Sequence, residues 1–244
     1  WDFALIVTAS LGFHELGHAI AIQSFGLEYR ISFGLVGAWT WSPLEGRKRL
    51  SHLQNVVIHL AGPVFSLLLS LVALGMWQIF PKLGPHLGIL ANFSAQVALL
   101  NLLPLWDLTD GGKVIRRLML SLEGDLRRAA VILPMTLTVL LLLADDLRAL
   151  PAIHGANTMS YWVSVMMVGL WVGGSLFFEA RRPVLAGEDS SRRVTANQAL
   201  ALILVIWVLL ILGITISATT PFWLAPNYVL GVVQNVMGVL HLFH

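Results

Sequence analysis

The hydrophobic positions fall into seven runs, at 1–25, 54–80, 87–105, 129–145, 158–178, 199–217 and 222–243, separated by short polar stretches. Each of the better runs approaches the ~20 apolar residues that carry an α-helix across a bilayer. Two are weaker: 129–145 is short and holds Pro134, and 222–243 contains Gln234, Asn235 and His241. The polar stretch 26–53 is more than a linker. Its part 27–41 (LEYRISFGLVGAWTW) is rich in β-branched and aromatic residues and broken by Gly34 and Gly37. That pattern predicts one or two strands joined by a glycine turn. Such a hairpin either dips into the bilayer against protein, since lipid-exposed strand edges are not tolerated, or sits at the surface anchored by Trp39 and Trp41. Further on, 111–122 places Val114, Ile115, Leu118, Met119 and Leu122 on one face and Lys113, Arg116 and Arg117 away from it. This predicts an amphipathic helix on the cytosolic interface. The polar segment 186–193 (AGEDSSRR) reads as a linker.

Composition agrees with the runs. Of the 244 residues, 57% are hydrophobic and 11% charged, against about 25% charged in soluble domains. The expected class is an all-α polytopic membrane protein, held together by helix packing in lipid. Thirteen of the fifteen basic residues lie in the three loops 26–53, 106–128 and 179–198, and the opposite side holds Lys82 and Arg148. Seven spans with a cytosolic C-terminus satisfy the positive-inside rule. The basic sequence, with a net charge of +2, therefore reads as an orientation signal and not as a nucleic-acid surface. There is no cysteine, so disulfides and thiolate metal sites are excluded, and a zinc ion would have to be held by His, Asp or Glu.

The first run carries Phe13-His14-Glu15-Leu16-Gly17-His18. On a helix, His14 and His18 are one turn apart and project from the same face, a spacing that lets two imidazoles grip one zinc ion. Glu15, about 100° further round, can hold and deprotonate the attacking water. This is the HExxH arrangement of zinc-dependent hydrolases. An ionisable group in a membrane-spanning run is costly and points to function. Two histidines leave a tetrahedral zinc short of a third protein ligand. The run ending at Pro104 leads to Asp107, Asp110, Gly111 and Gly112. Asp110 can reach the histidine pair if the two helices pack together; equally, it can cap the helix that follows. His59 lies inside the second run, where a histidine is usually satisfied by a neighbouring helix or by backbone and less often lines the site.

Together, His14-Glu15-x-x-His18, then Leu60-Ala61-Gly62-Pro63, then Asn101-x-x-Pro104 leading to Asp110-Gly111 resemble the site-2 protease family of intramembrane zinc metalloproteases. The resemblance covers roughly residues 1–120. It implies a three-helix catalytic core, one zinc ion on His14, His18 and Asp110, and Glu15 as general base. It also implies that 26–53 holds a membrane re-entrant hairpin and that Asn101 assists substrate positioning or oxyanion stabilisation. Two departures stand out. Asp110 lies nine residues after Asn101, where the family usually shows eight, and Asp107 is an extra acid in the interval. Ser66 replaces a common Asn, a change expected to alter helix packing only.

The resulting expectation is a catalytic core at 1–128 followed by additional transmembrane helices of unassigned role at 129–244. The protein would hydrolyse peptide bonds within or next to transmembrane segments of a membrane-protein substrate, in the lipid bilayer, with its active site towards the cytosol and no nucleic-acid partner. The rival reading is a non-catalytic zinc-binding membrane protein, a transporter or a chaperone of transmembrane segments. Glu15 argues against it, because a purely structural site needs no base.

Overall fold

A computed structural model describes residues 2–34, 37–47, 49–103, 109–121 and 194–219, with residues 173, 174 and 177. In chain order these form helix α1 (Asp2–Ser24), strands β1 (Arg30–Gly34) and β2 (Gly37–Trp41), and the short α2 (Leu44–Arg47). Helix α3 (His52–Ile79) follows, then a 3-10 turn at Pro81–Leu83, α4 (Gly84–Leu102), α5 (Asp110–Ser121) and α6 (Ala196–Thr219). The expected spans at 129–145 and 222–243, all of 158–178 but residues 173, 174 and 177, the linker 186–193, and Asp107 lie outside the described residues.

Three described helices are long and apolar enough to cross a membrane: Ala4–Ser24, His52–Ile79 and Ala196–Ser217. The apolar part of α4, His86–Leu102, is shorter. The protein is thus a membrane protein whose described residues are largely helical, with one small antiparallel sheet among them. The run expected to continue to 105 stops as a helix at Leu102, and Leu103 turns to extended backbone with φ −62° and ψ 139°. Pro104 dictates this, because its ring disfavours helical backbone in the residue before it.

Helix α3 is the central element. Its start is fixed by a capping box in which the Ser51 hydroxyl accepts from the Gln54 N–H while the Gln54 side chain accepts from the Ser51 N–H. It packs against α1, α4, α5 and α6. A Cβ added to Gly17 of α1 would overlap the Ala61 carbonyl of α3, so these two backbones meet at the close range that small residues permit in membranes. Buried Ala21, Ile22 and Ile58 extend that seam towards Phe25 and Leu27.

The amphipathic helix forms where expected, at 110–121, but its apolar face is covered by protein. Val114, Ile115, Leu118 and Met119 are all buried, in one cluster with Val56 and Leu60 of α3, Leu102 of α4, and Ala199, Ile203, Ile206 and Leu210 of α6. The pattern of a lipid-facing helix and of a helix packed on a bundle is the same, and only the neighbours distinguish them. Helix α6 therefore shares a core with α3, α4 and α5.

The hairpin pairs Arg30 with Trp41, Ser32 with Trp39 and Gly34 with Gly37. Both strands pack on α1, and β2 does so more extensively. The Thr40 hydroxyl donates to the Glu15 carbonyl at 3.0 Å, tying β2 to the helix that carries the histidines.

Candidate metal centre

Helix α1 presents His14 and His18 one turn apart, and both are buried. The third group comes from α5. The Thr109 hydroxyl accepts from the Gly112 N–H at 3.2 Å, so Thr109 caps α5. Asp110 is thereby released from capping and turns its carboxylate, 4% exposed, into the bundle. A Cβ on Gly111 would overlap the Leu102 and Leu103 carbonyls; glycine is what lets the start of α5 tuck under the end of α4.

These elements converge at one point. His14 Nε2 and His18 Nε2 are 3.2 Å apart, and each is 3.1 Å from Asp110 Oδ2. The three form a grouping able to hold a metal ion. Zinc bonds of 2.0–2.1 Å in a tetrahedron separate ligand atoms by about 3.3–3.4 Å, within a few tenths of an ångström of this triangle. The tautomers fit as well. His18 Nδ1–H donates to the Ile58 carbonyl at 2.7 Å, which leaves its Nε2 as a lone-pair donor. His14 Nδ1 lies 2.9 Å from Ser66 Oγ, and donation from Nδ1–H to that hydroxyl aims the second Nε2 lone pair at the same point. Two nitrogen lone pairs and a carboxylate oxygen facing one another call for a cation. With protons in place of the cation, charge on His18 and hydrogen bonds from His14, His18 and His59 would outweigh burial and hold the Asp110 carboxyl well below the usual carboxylate range.

Helix α3 supplies none of the three ligands yet frames them. Its Ile58 carbonyl orients His18, its Ser66 hydroxyl orients His14, and its Gly62 leaves the space between them. A Cβ on Gly62 would overlap the Nε2 atoms of both histidines. The Ser66 expectation is therefore corrected: this position contacts a candidate ligand directly and does more than alter packing. His59 is met by a neighbouring helix, as expected, and at the site itself: its Nδ1 lies 3.3 Å from Asp110 Oδ1. Lys113 Nζ stands 3.7 Å from the same oxygen. The sequence marked His59 only as a histidine inside an apolar run; the register of α3 against α5 brings it to Asp110.

Glu15, 7% exposed, joins the three candidate ligands on the wall of a cavity of about 160 Å³. Asn101 and Lys113 lie on the same wall, as do Ala38, Trp39 and Thr40 of β2. The Asn101 amide donates to the Val97 carbonyl of its own helix at 2.9 Å, which fixes its side chain and leaves its second N–H and its oxygen for the cavity.

No family model matches the chain, and no solved structure matches it. A protein of Synechocystis sp. named "Putative zinc metalloprotease sll0528" is 30% identical over 133 residues, covering 53% of this chain. The chain spans about a third of that relative's length (34%). A membrane protein with this similarity and a buried His–His–Asp grouping has the outline of a membrane metalloprotease.

Proposed function

We propose that the chain is an intramembrane zinc metalloprotease of the site-2 protease type, with His14, His18 and Asp110 as ligands of one zinc ion. The observation that carries this reading is the convergence of those three groups beside Glu15, on a cavity that residues of β2 also line. When bound, zinc acidifies water and polarises a carbonyl.

The remaining chemistry belongs to the chain. Glu15 accepts the proton of the attacking water and returns it to the leaving amine. Asn101 hydrogen-bonds the substrate backbone from the α4 side. A peptide bond inside a helix is shielded by the helix's own hydrogen bonds and side chains. A transmembrane substrate must therefore unwind to enter. The edge of β2 offers it main-chain partners, because an extended segment can add as a further strand beside Ala38, Trp39 and Thr40. The distribution of basic loops supports a site towards the cytosolic side, with another membrane protein as its substrate.

The test is zinc content and cleavage of a model transmembrane substrate by wild type and Glu15→Gln. The amide keeps the side-chain size but cannot take the proton, so zinc should be retained while the rate falls by about 10²–10⁴-fold. Zinc without cleavage in the wild type would favour the non-catalytic reading, and full activity in the variant would remove Glu15 as the base.

A further inference from the structure

Asp110 divides its two oxygens between different neighbours. Oδ2 faces His14 and His18 at 3.1 Å each, while Oδ1 faces His59 Nδ1 at 3.3 Å and Lys113 Nζ at 3.7 Å. His59 meets the other oxygen of Asp110 and stands outside the grouping formed by the three candidate ligands. It is nonetheless buried, at 7% exposure, within a span, where an imidazole is expensive to place. Its backbone position is equally particular. Pro63 lacks the N–H that would pair with the His59 carbonyl one turn earlier, and Gly62 and Ser66 on the same helix already shape the two histidines.

We infer that His59 is a positioning residue for the metal site: its Nδ1–H holds Oδ1 of Asp110 so that the carboxylate offers a single oxygen, Oδ2, to the ion. This rests on the zinc reading above. A carboxylate can bind a metal through one oxygen or through both, and the two modes give different coordination numbers. A donor fixed on Oδ1 occupies the lone pair that the second mode would use and stops rotation of the carboxylate about its own axis. Lys113, half-exposed on its flexible stem and further away, neutralises the oxygen without fixing its direction. The ligand triangle is then oriented from outside at every corner by α3: Ile58 on His18, Ser66 on His14 and His59 on Asp110. Partners of this kind around metal ligands set affinity as well as geometry.

The experiment uses the full chain in detergent, with zinc affinity read by chelator competition and coordination read from the visible absorption of the cobalt-substituted protein. His59→Leu keeps the bulk and removes the donor. It should weaken zinc binding by about 10–100-fold and reduce the intensity of the cobalt bands as the site moves from four to five ligands. His59→Asn carries an N–H near the position of Nδ1 and should restore the wild-type spectrum. His59→Gln displaces that N–H by one methylene, so it should lose affinity as the leucine variant does. That pair keeps the test decisive if His59→Leu does not fold. Wild-type affinity and spectrum in His59→Leu, or equal affinity in the Asn and Gln variants, would overturn the assignment while leaving the zinc site intact. A wild-type chain that binds no zinc would overturn both.

Discussion

Gly62 and His18 compete for one volume: the place where a side chain on Gly62 would begin is the place where His18 Nε2 lies, with His14 Nε2 beside it. The glycine of the Leu60-Ala61-Gly62-Pro63 segment is thus a feature of the metal centre as much as of helix packing. Overpacking of a well-filled interior costs about 1–3 kcal/mol, and here the strain falls on both candidate ligands. Gly62→Ala should lower zinc affinity by about 10–100-fold, at about 1.4 kcal/mol per decade. Chelator competition measures it. An alanine variant with unchanged affinity would mean that α1 and α3 can separate without disturbing the histidines.

Asp110 and Asp107 should differ. Asp110 is the carboxylate that meets both histidines, so Asp110→Ala leaves a two-histidine site without its third protein ligand. Zinc and activity should be lost together. Asp107→Ala should keep the metal and reduce cleavage modestly. Metal analysis of the two purified variants decides the matter, and the opposite pattern would exchange their roles.

Ser66→Ala removes the acceptor that orients His14 through Nδ1. Zinc affinity should fall by about tenfold or more, the lower end of what such outer partners contribute. Ser66→Asn, which keeps a side-chain acceptor, should lose less. Equal affinities for the alanine variant and the wild type would return this position to a packing role.

The hairpin makes a separate prediction. Two residues connect Gly34 to Gly37, and in such a hairpin the closing pair is hydrogen-bonded while the next pair, Phe33 and Ala38, turns its N–H groups to the outer edges. Ala38 borders the cavity. Ala38→Pro therefore removes a donor from the edge that would hold the substrate while sparing the β1–β2 ladder. Cleavage of helical substrates should fall with zinc binding untouched. Normal cleavage by this variant would leave the hairpin as a membrane anchor.

Local spacing made part of this protein legible in the sequence. His14, Glu15 and His18 are related by one helical turn, so their mutual geometry follows from the α-helix itself. The glycine-broken β-rich segment likewise predicted β1 and β2, and the apolar runs predicted α1, α3, α4 and α6, because each depends on a periodicity carried by neighbouring residues. Leu103 and Pro104 marked the end of α4 by steric rules of the same short range. What tertiary structure alone decided was every relation between elements. Asp110 is 92 residues from His18, and its capping alternative was equally consistent with the sequence until Thr109 took the cap. The face of α5 read as lipid-facing because apolar residues look alike to lipid and to a helix bundle; α3 and α6 cover it. Ser66 stood out only as a departure from the family pattern and His59 only as a histidine in an apolar run, with no partner legible for either. Their roles arise from the rotation of α3 against α1 and α5, a quantity set by the close contact at Gly17 and Gly62 and not encoded in the spacing of any one segment.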